Sequence, residues 1–452
     1  MRRAVVHPGI SYSKSQESGR KVRVGYLLVV LLLLLLPLER LMLPANLRVA
    51  DFALVLLILY GSLSFWLTEQ RIYLPLLLPI WLILIASLIA TLAGLTHPAS
   101  IISIVQEVYI FVWFIVLTNI LISLSLSNVD RLMKIWSVIA LTVAATTVMG
   151  MLHIGPNFFY TSPIDGQVLS FGGFSRGLGT YINPNAAAAY LSISFFVLLA
   201  TDWSTGTRSI FAMCLLLGIF ATGSMGGVFS TFIGLVVLVM IYSILKNRQE
   251  AMLWGVVVGI GIAIVIEVLY IFSLLPSISF EFGSTTGFQW FSLTLGRLPR
   301  SLGSRLTLIE SLWPIYNLNP LGTGPDTSAL FKGSLHNDYA AFLIERGPLG
   351  FIGWMGLVGT TLIAPLRTVY RRTGSYRHWQ LLTLWAGFLA IAINALTHEI
   401  SHFRQVWVLM AFLFAMGYVL PDRSATNLSL TESRQSQTTK RSSSGIGREV
   451  TT

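Results

Sequence analysis

Arg176, Arg305 and His336 are the residues whose types and settings could do chemistry. A guanidinium presents paired N–H donors that match the oxygens of phosphate or carboxylate. An imidazole titrates near neutrality and suits proton transfer. Arg176 precedes Asn183-Pro184-Asn185 and an alanine run. Asn183 suits an N-cap and Pro184 a first helical position, so a helix opening there turns its amides toward an anion beside Arg176. Arg305 and Glu310 occupy the polar side of a segment in which Leu302, Leu306, Ile309, Trp313 and Tyr316 recur at steps of four and three, the period of an amphipathic helix. That helix is expected to lie on the bundle or in the membrane interface. Asn319-Pro320-Leu321-Gly322-Thr323-Gly324-Pro325-Asp326 follows, a turn-rich stretch whose backbone amides are expected to approach a ligand. His336-Asn337-Asp338-Tyr339 then opens a short helix that runs through Glu345 and Arg346 to Gly347-Pro348-Leu349-Gly350, where a membrane span begins. Each residue also has a plain reading: a capped helix beside a solvated arginine, and a histidine that caps or is hydrated.

Two carboxylates are of another kind. Glu107 and Glu267 fall inside apolar runs. Such groups are costly in a bilayer and face a cavity or a partner. They bind an ion, hold an arginine or pair with a polar neighbour. His398, Glu399 and His402 cluster before the last apolar run, but two histidines four apart are a weak metal signal without a further ligand. No zinc spacing is visible, and neither a metal nor another cofactor is expected.

The elements that must carry these residues are membrane helices. Apolar residues make up 54% of the chain and charged residues 11%, well below a soluble domain. Spans are expected near 22–43, 51–67, 72–95, 101–124, 132–154, 184–201, 209–223, 226–245, 252–275, 347–370, 380–397 and 404–420. The first has a basic flank and a leucine run, but its length and the lack of a small-x-small site make it an uncleaved anchor. With the N-terminus in the cytoplasm, most Lys and Arg fall inside, among them Arg20, Lys21, Arg71, Lys134, Arg208, Lys246 and Arg371. Both termini are then cytoplasmic. Residues 1–21 and 421–452 are polar and expected to be disordered. Residues 276–346 form one large external loop between the bundle of 22–275 and that of 347–420. The net charge of +11 fits a membrane surface, since no basic stripe interleaved with aromatics points to nucleic acid. The lone Cys214 precludes a disulfide within the chain.

Three blocks resemble the O-antigen ligase and polymerase superfamily of bacterial membrane glycosyltransferases. The first runs from Arg176-Gly177 to Asn183-Pro184-Asn185. The second runs from Ser304-Arg305 to Trp313 and continues with Asn319-Pro320-Leu321-Gly322-Thr323-Gly324. The third is His336-Asn337, then nine residues, then Gly347 and Gly350. The resemblance covers most of the chain. It implies an all-α integral membrane protein with about twelve transmembrane helices in a GT-C-like bundle, with short amphipathic helices on its large external loop. It implies residence in the bacterial plasma (inner) membrane with the active site facing the periplasm or exterior. An undecaprenyl-diphosphate-linked glycan would be the donor, and a glycan, a lipid A core or a protein the acceptor. Transfer would invert the anomeric centre without metal. His336 and Arg305 would be catalytic, and Arg176, Asn185, Asn337, Glu267 and Glu107 would bind substrate. A chain-length regulator enters as a partner only by analogy. One departure is Thr222-Gly223-Ser224-Met225, where the family often has serine followed by a basic residue.

Two other classes compete. A transporter or flippase also has about twelve spans and buried carboxylates, but it typically shows internal repeats, and none is convincing here. A non-catalytic scaffold leaves the arginine, asparagine and histidine blocks as coincidence.

Overall fold

The computed structural model describes residues 13–41, 48–68, 71–94, 97–160, 176–246, 310, 313–314, 316–327, 335–371 and 376–419. The expected span at 252–275, Glu267, Arg305 and residues 421–452 lie outside this set. So does most of the segment expected to be an amphipathic helix, of which Glu310, Trp313, Pro314 and Tyr316–Leu318 are helical. No strand occurs among the described residues, and the long elements are α-helices. They are α1 (Ser13–Leu35), α2 (Val49–Thr68), α3 (Leu77–Ala93), α4 (Pro98–Ser123), α5 (Leu126–Met151), α6 (Pro184–Leu199), α7 (Thr205–Ala221), α8 (Met225–Lys246), α9 (Asp338–Arg371), α10 (Tyr376–Asn394) and α11 (Arg404–Val419). α1 takes in polar residues from Ser13 onward that sequence patterning leaves outside the bundle. Gln, Glu, Arg and Lys there are good helix formers, so a polar run continuous with an apolar one extends the helix.

Helix starts follow local chemistry. His97, Ser125, Asn183 and Ser204 each accept a backbone N–H from the first turn of the helix that follows. Pro98 and Pro184 stand at first positions. Among the described residues five helices, on α2, α4, α5, α8 and α9, are long and apolar enough to cross a membrane, and five shorter apolar ones accompany them. On α3, Leu78, Trp81, Leu88 and Leu92 all point outward, and Leu78 and Leu92 are each 71% exposed. An outward apolar stripe of this size belongs against lipid. The described residues are therefore those of a helical membrane protein.

α6 and α11 form the centre. Nearly every residue from Ala186 to Leu198 and from Gln405 to Met416 is buried, as expected of helices without a polar face. Small residues let neighbours close in: a Cβ on Gly218 would lie 2.7 Å from that of Ala144, and one on Gly227 2.6 Å from that of Ala188.

The helices run up and down, and each end is stitched separately. At one end Arg377 and Gln380 of α10 bond Asp130 of α5, and Gln380 also donates to Ala200 O beyond α6. Nearby, Lys134 pairs with Asp202 at 2.6 Å, and this hydrogen bond holds the Asp202 carboxyl below its usual range. The opposite end gathers the starts of α2, α4, α6, α8, α9 and α11. There Arg404 clamps Asp51 with bonds of 2.6 and 2.7 Å. α8 leaves this end and α9 begins at it.

α9 is kinked. Gly347 has φ 66° and ψ −173°, and Pro348 follows. Pro348 has no N–H for Ile344 O, and the turned backbone at Gly347 breaks the ladder for Glu345 O. The amides of Thr323 and Gly324 supply the missing donors, at 3.2 and 2.9 Å, and Asp326 N donates to Glu345 Oε2 at 3.0 Å. This corrects the expectation that the 319–326 turn offers its amides to a ligand. They are used to mend α9.

Candidate functional site

The stitched end that holds the start of α6 carries most of the described residues singled out from sequence. Arg176 lies across the α7–α8 turn. Its Nε donates to Thr222 O at 2.9 Å and its Nη2 to Asn185 Oδ1 at 2.9 Å. Gly177 N donates to Ala221 O at 2.9 Å, which fixes the backbone beneath the guanidinium. Asn185 itself sits in the first turn of α6, its amide received by the capping Asn183 at 2.8 Å. Arg176 and Asn185 therefore form one unit at a helix N-terminus, where the helix dipole favours negative charge.

The turn under Arg176 must be glycine. Gly223 has φ +61°, and a Cβ there would lie 3.3 and 3.4 Å from Arg176 Cγ and Nε. Gly223→Val is expected to destabilise the fold by about 1–2 kcal/mol through left-handed strain and to push Arg176 off Asn185. Thermal unfolding, with substrate KM measured in parallel, checks both parts.

α8 opens immediately after this turn, with Ser224 as its cap: Gly227 N approaches Ser224 Oγ and Val228 N donates to Ser224 O. Met225 is its first residue, so the position the resemblance marks as basic holds an uncharged side chain at a helix N-terminus. On the other flank of α8 lies the loop after α10. A Cβ on Gly226 would meet Thr397 Oγ1 at 2.6 Å, Asn394 Oδ1 at 2.9 Å and His398 Cε1 at 3.1 Å. His398 is buried, and its Nδ1 lies 3.1 Å from Asn394 Oδ1 and 3.0 Å from Thr397 Oγ1.

His336 approaches this loop from the third side. Its ring centroid is 6.5 Å from that of His398, and its amide donates to Glu399 Oε1 at 3.0 Å. Its φ of +50° is unusual for a residue with a side chain. Two neighbours hold it so. Asn337 caps α9, its Oδ1 accepting from Ala340 N at 3.1 Å. Asp338 accepts from Ile400 N, Ser401 N and Ser401 Oγ at 2.8–3.0 Å. The side chain of His336 remains exposed. Thus Arg176, Asn185, His398 and His336 are strung round the start of α8, with the starts of α6 and α9 beside it.

Glu107 is elsewhere. It lies buried between α3, α4 and α9, where it takes both Nε and Nη2 of Arg346 and the hydroxyl of Ser87 at 2.8 Å. Glu345 takes Arg346 Nη1 at 2.9 Å, and the guanidinium stacks 4.4 Å from the centre of the Phe342 ring. Among the described residues no group of three or more His, Cys, Asp or Glu could hold a metal ion. Sequence patterning missed Arg346, Asp338 and His398 as members of these networks. A charged residue directly before a Gly-Pro break was the available signal for Arg346. His398 stood out in the sequence only as part of a cluster with Glu399 and His402, and its closeness to Gly226 of α8 and to His336 is a tertiary contact.

This is a helical membrane protein that gathers arginine, asparagine and histidine side chains at one end of its described bundle. A family model described as O-Antigen ligase matches residues 210–355, from within α7 to just beyond the α9 kink. The match takes in the α7–α8 turn, Arg305, His336, Asn337 and Arg346, and it supports the O-antigen ligase and polymerase superfamily and a glycosyltransferase-like enzyme. Arg176, Asn185, His398 and Glu107 lie outside it. No curated protein matches the chain.

Proposed function

We propose that the protein moves a glycan from an undecaprenyl-diphosphate carrier to an acceptor hydroxyl at the outer face of the plasma membrane, with inversion and without metal. The observation that carries this reading is the gathering of Arg176, Asn185 and the histidines round three helix N-termini at one end of the bundle, in and beside the region that resembles the ligases. Diphosphate is already a good leaving group, so catalysis needs mainly to hold its charge. Arg176, Arg305 and the amides at the starts of α6 and α8 suit that task, and preorganised donors aimed at developing charge are commonly the largest catalytic contribution. The acceptor oxygen attacks the anomeric carbon as the bond to the diphosphate oxygen breaks. Its proton passes to His336, and the carrier diphosphate leaves with the electron pair. One displacement of this kind inverts the centre. Asn337 orients the His336 segment or binds sugar. Glu107 acts by holding Arg346, and Glu267 is proposed to line the lipid cavity.

Arg176→Lys keeps the charge and loses the planar fork. It is expected to lower transfer by about 10-fold while the protein still inserts. Arg305→Ala is expected to cost more, about 10²–10³-fold. Turnover in membranes of equal protein content checks both. In the host, deletion of the gene tests the reading directly. Loss of the long glycan ladder with single repeats still at the surface makes the protein a polymerase. A full ladder stranded on the carrier makes it a ligase. Unchanged lipid-linked and surface glycans contradict the proposal.

A further inference from the structure

A second polar centre lies at the same end of the bundle, between the α1–α2 connection, the loop before α6 and the start of α11. Glu39, Arg48, Tyr181, Arg404 and Gln405 surround a small cavity there. The charges at its rim cancel in pairs. Arg48 meets Glu39 Oε1 at 2.9 Å, and Arg404 meets both oxygens of Asp51. A neutral occupant therefore suits it. The two guanidinium groups disfavour a bare cation, and Glu39 disfavours an anion.

Three polar atoms of this centre have no hydrogen-bond partner among the described residues: Glu39 Oε2, Tyr181 Oη and Gln405 Nε2. Tyr181 is 1% and Gln405 4% exposed, so bulk solvent does not serve them. Buried donors and acceptors are otherwise almost always paired. The set is an acceptor, an amide donor and a hydroxyl that can do either. It complements one small molecule that both donates and accepts. The cavity, about 10 Å³, has the size of one water and excludes a sugar or a phosphate.

We propose that a single water molecule is bound here as part of the fold, receiving hydrogen bonds from Gln405 and Tyr181 and giving one to Glu39 Oε2. Tyr181 stands two residues before the α6 cap Asn183, and Arg40 N donates to Thr180 O at 3.3 Å in the same stretch. The water thus ties the α1–α2 connection and α11 to the loop that leads from Arg176 into α6. Resting on the function proposed above, Tyr181 and Gln405 are then positioning residues for donor binding.

A density map of the full chain in lipid nanodiscs, resolved well enough to see ordered solvent, is expected to show one peak about 2.6–3.2 Å from all three atoms. No peak, or a peak with contacts of about 2.3–2.5 Å as for a cation, overturns the proposal. Tyr181→Phe keeps the ring and removes one partner. It is expected to lower Tm and to raise donor KM about three-fold with kcat little changed. Unchanged Tm and KM in this variant likewise overturn it. A wild-type protein that transfers no glycan removes the functional consequence and leaves the map to decide the water.

Discussion

His336→Ala is expected to lower glycan transfer by about 10²–10⁴-fold, the usual contribution of a positioned general base. The backbone at this position should survive the change. Glu399 receives the His336 amide, Asn337 caps α9, and Asp338 is anchored by three donors from Ile400 and Ser401. The imidazole is exposed. Yield, Tm and helix content of the variant should therefore match the wild type while turnover falls. Wild-type turnover should rise with pH as imidazole loses its proton, and the residual activity of the variant should lack that rise. Full activity of His336→Ala at every pH would remove the residue from the proton path.

The second large effect concerns stability. Glu107→Ala strips the guanidinium of Arg346 of the carboxylate that takes its Nε and Nη2, and strips Ser87 of its acceptor. Arg346 is 3% exposed on its side chain and Glu107 9%, so water cannot replace the lost partner. Breaking a buried pair from one side costs about 3–5 kcal/mol. The variant is expected to reach the membrane in low yield with a sharply lower Tm. Replacing Glu107 by Gln, which keeps an acceptor for Ser87, should restore part of it. Equal Tm for wild type and Glu107→Ala in detergent would show that the network does not hold α3, α4 and α9 together.

These two predictions differ in how far the sequence foretold them. His336 stood out through the resemblance of the third block, His336-Asn337 followed by Gly347 and Gly350, and its role in catalysis is the proposal made here. Asn183-Pro184-Asn185 was equally legible, since capping is decided by neighbours in the chain. The membrane class followed from composition alone. Arg346 was not legible as the partner of Glu107, because the pair is separated by most of the chain and only α9 packing on α3 and α4 joins them. The 319–326 turn was misread for a related reason. Its glycines and amides look like a ligand loop, and only the Gly347-Pro348 kink, which orphans two carbonyls, shows where those amides go. His398 shares this origin. Its neighbours Gly226 and His336 belong to α8 and to the segment before α9, and periodicity carries no record of them.

The central claim, that this end of the bundle breaks a glycosyl–diphosphate bond, is tested most directly with the purified protein in vesicles, given undecaprenyl-diphosphate-linked oligosaccharide, an acceptor glycan and a metal chelator. Acceptor-dependent release of undecaprenyl diphosphate, with a product of inverted anomeric configuration, is the result expected. Movement of intact donor between leaflets with no release of carrier diphosphate would contradict the claim and make the protein a transporter.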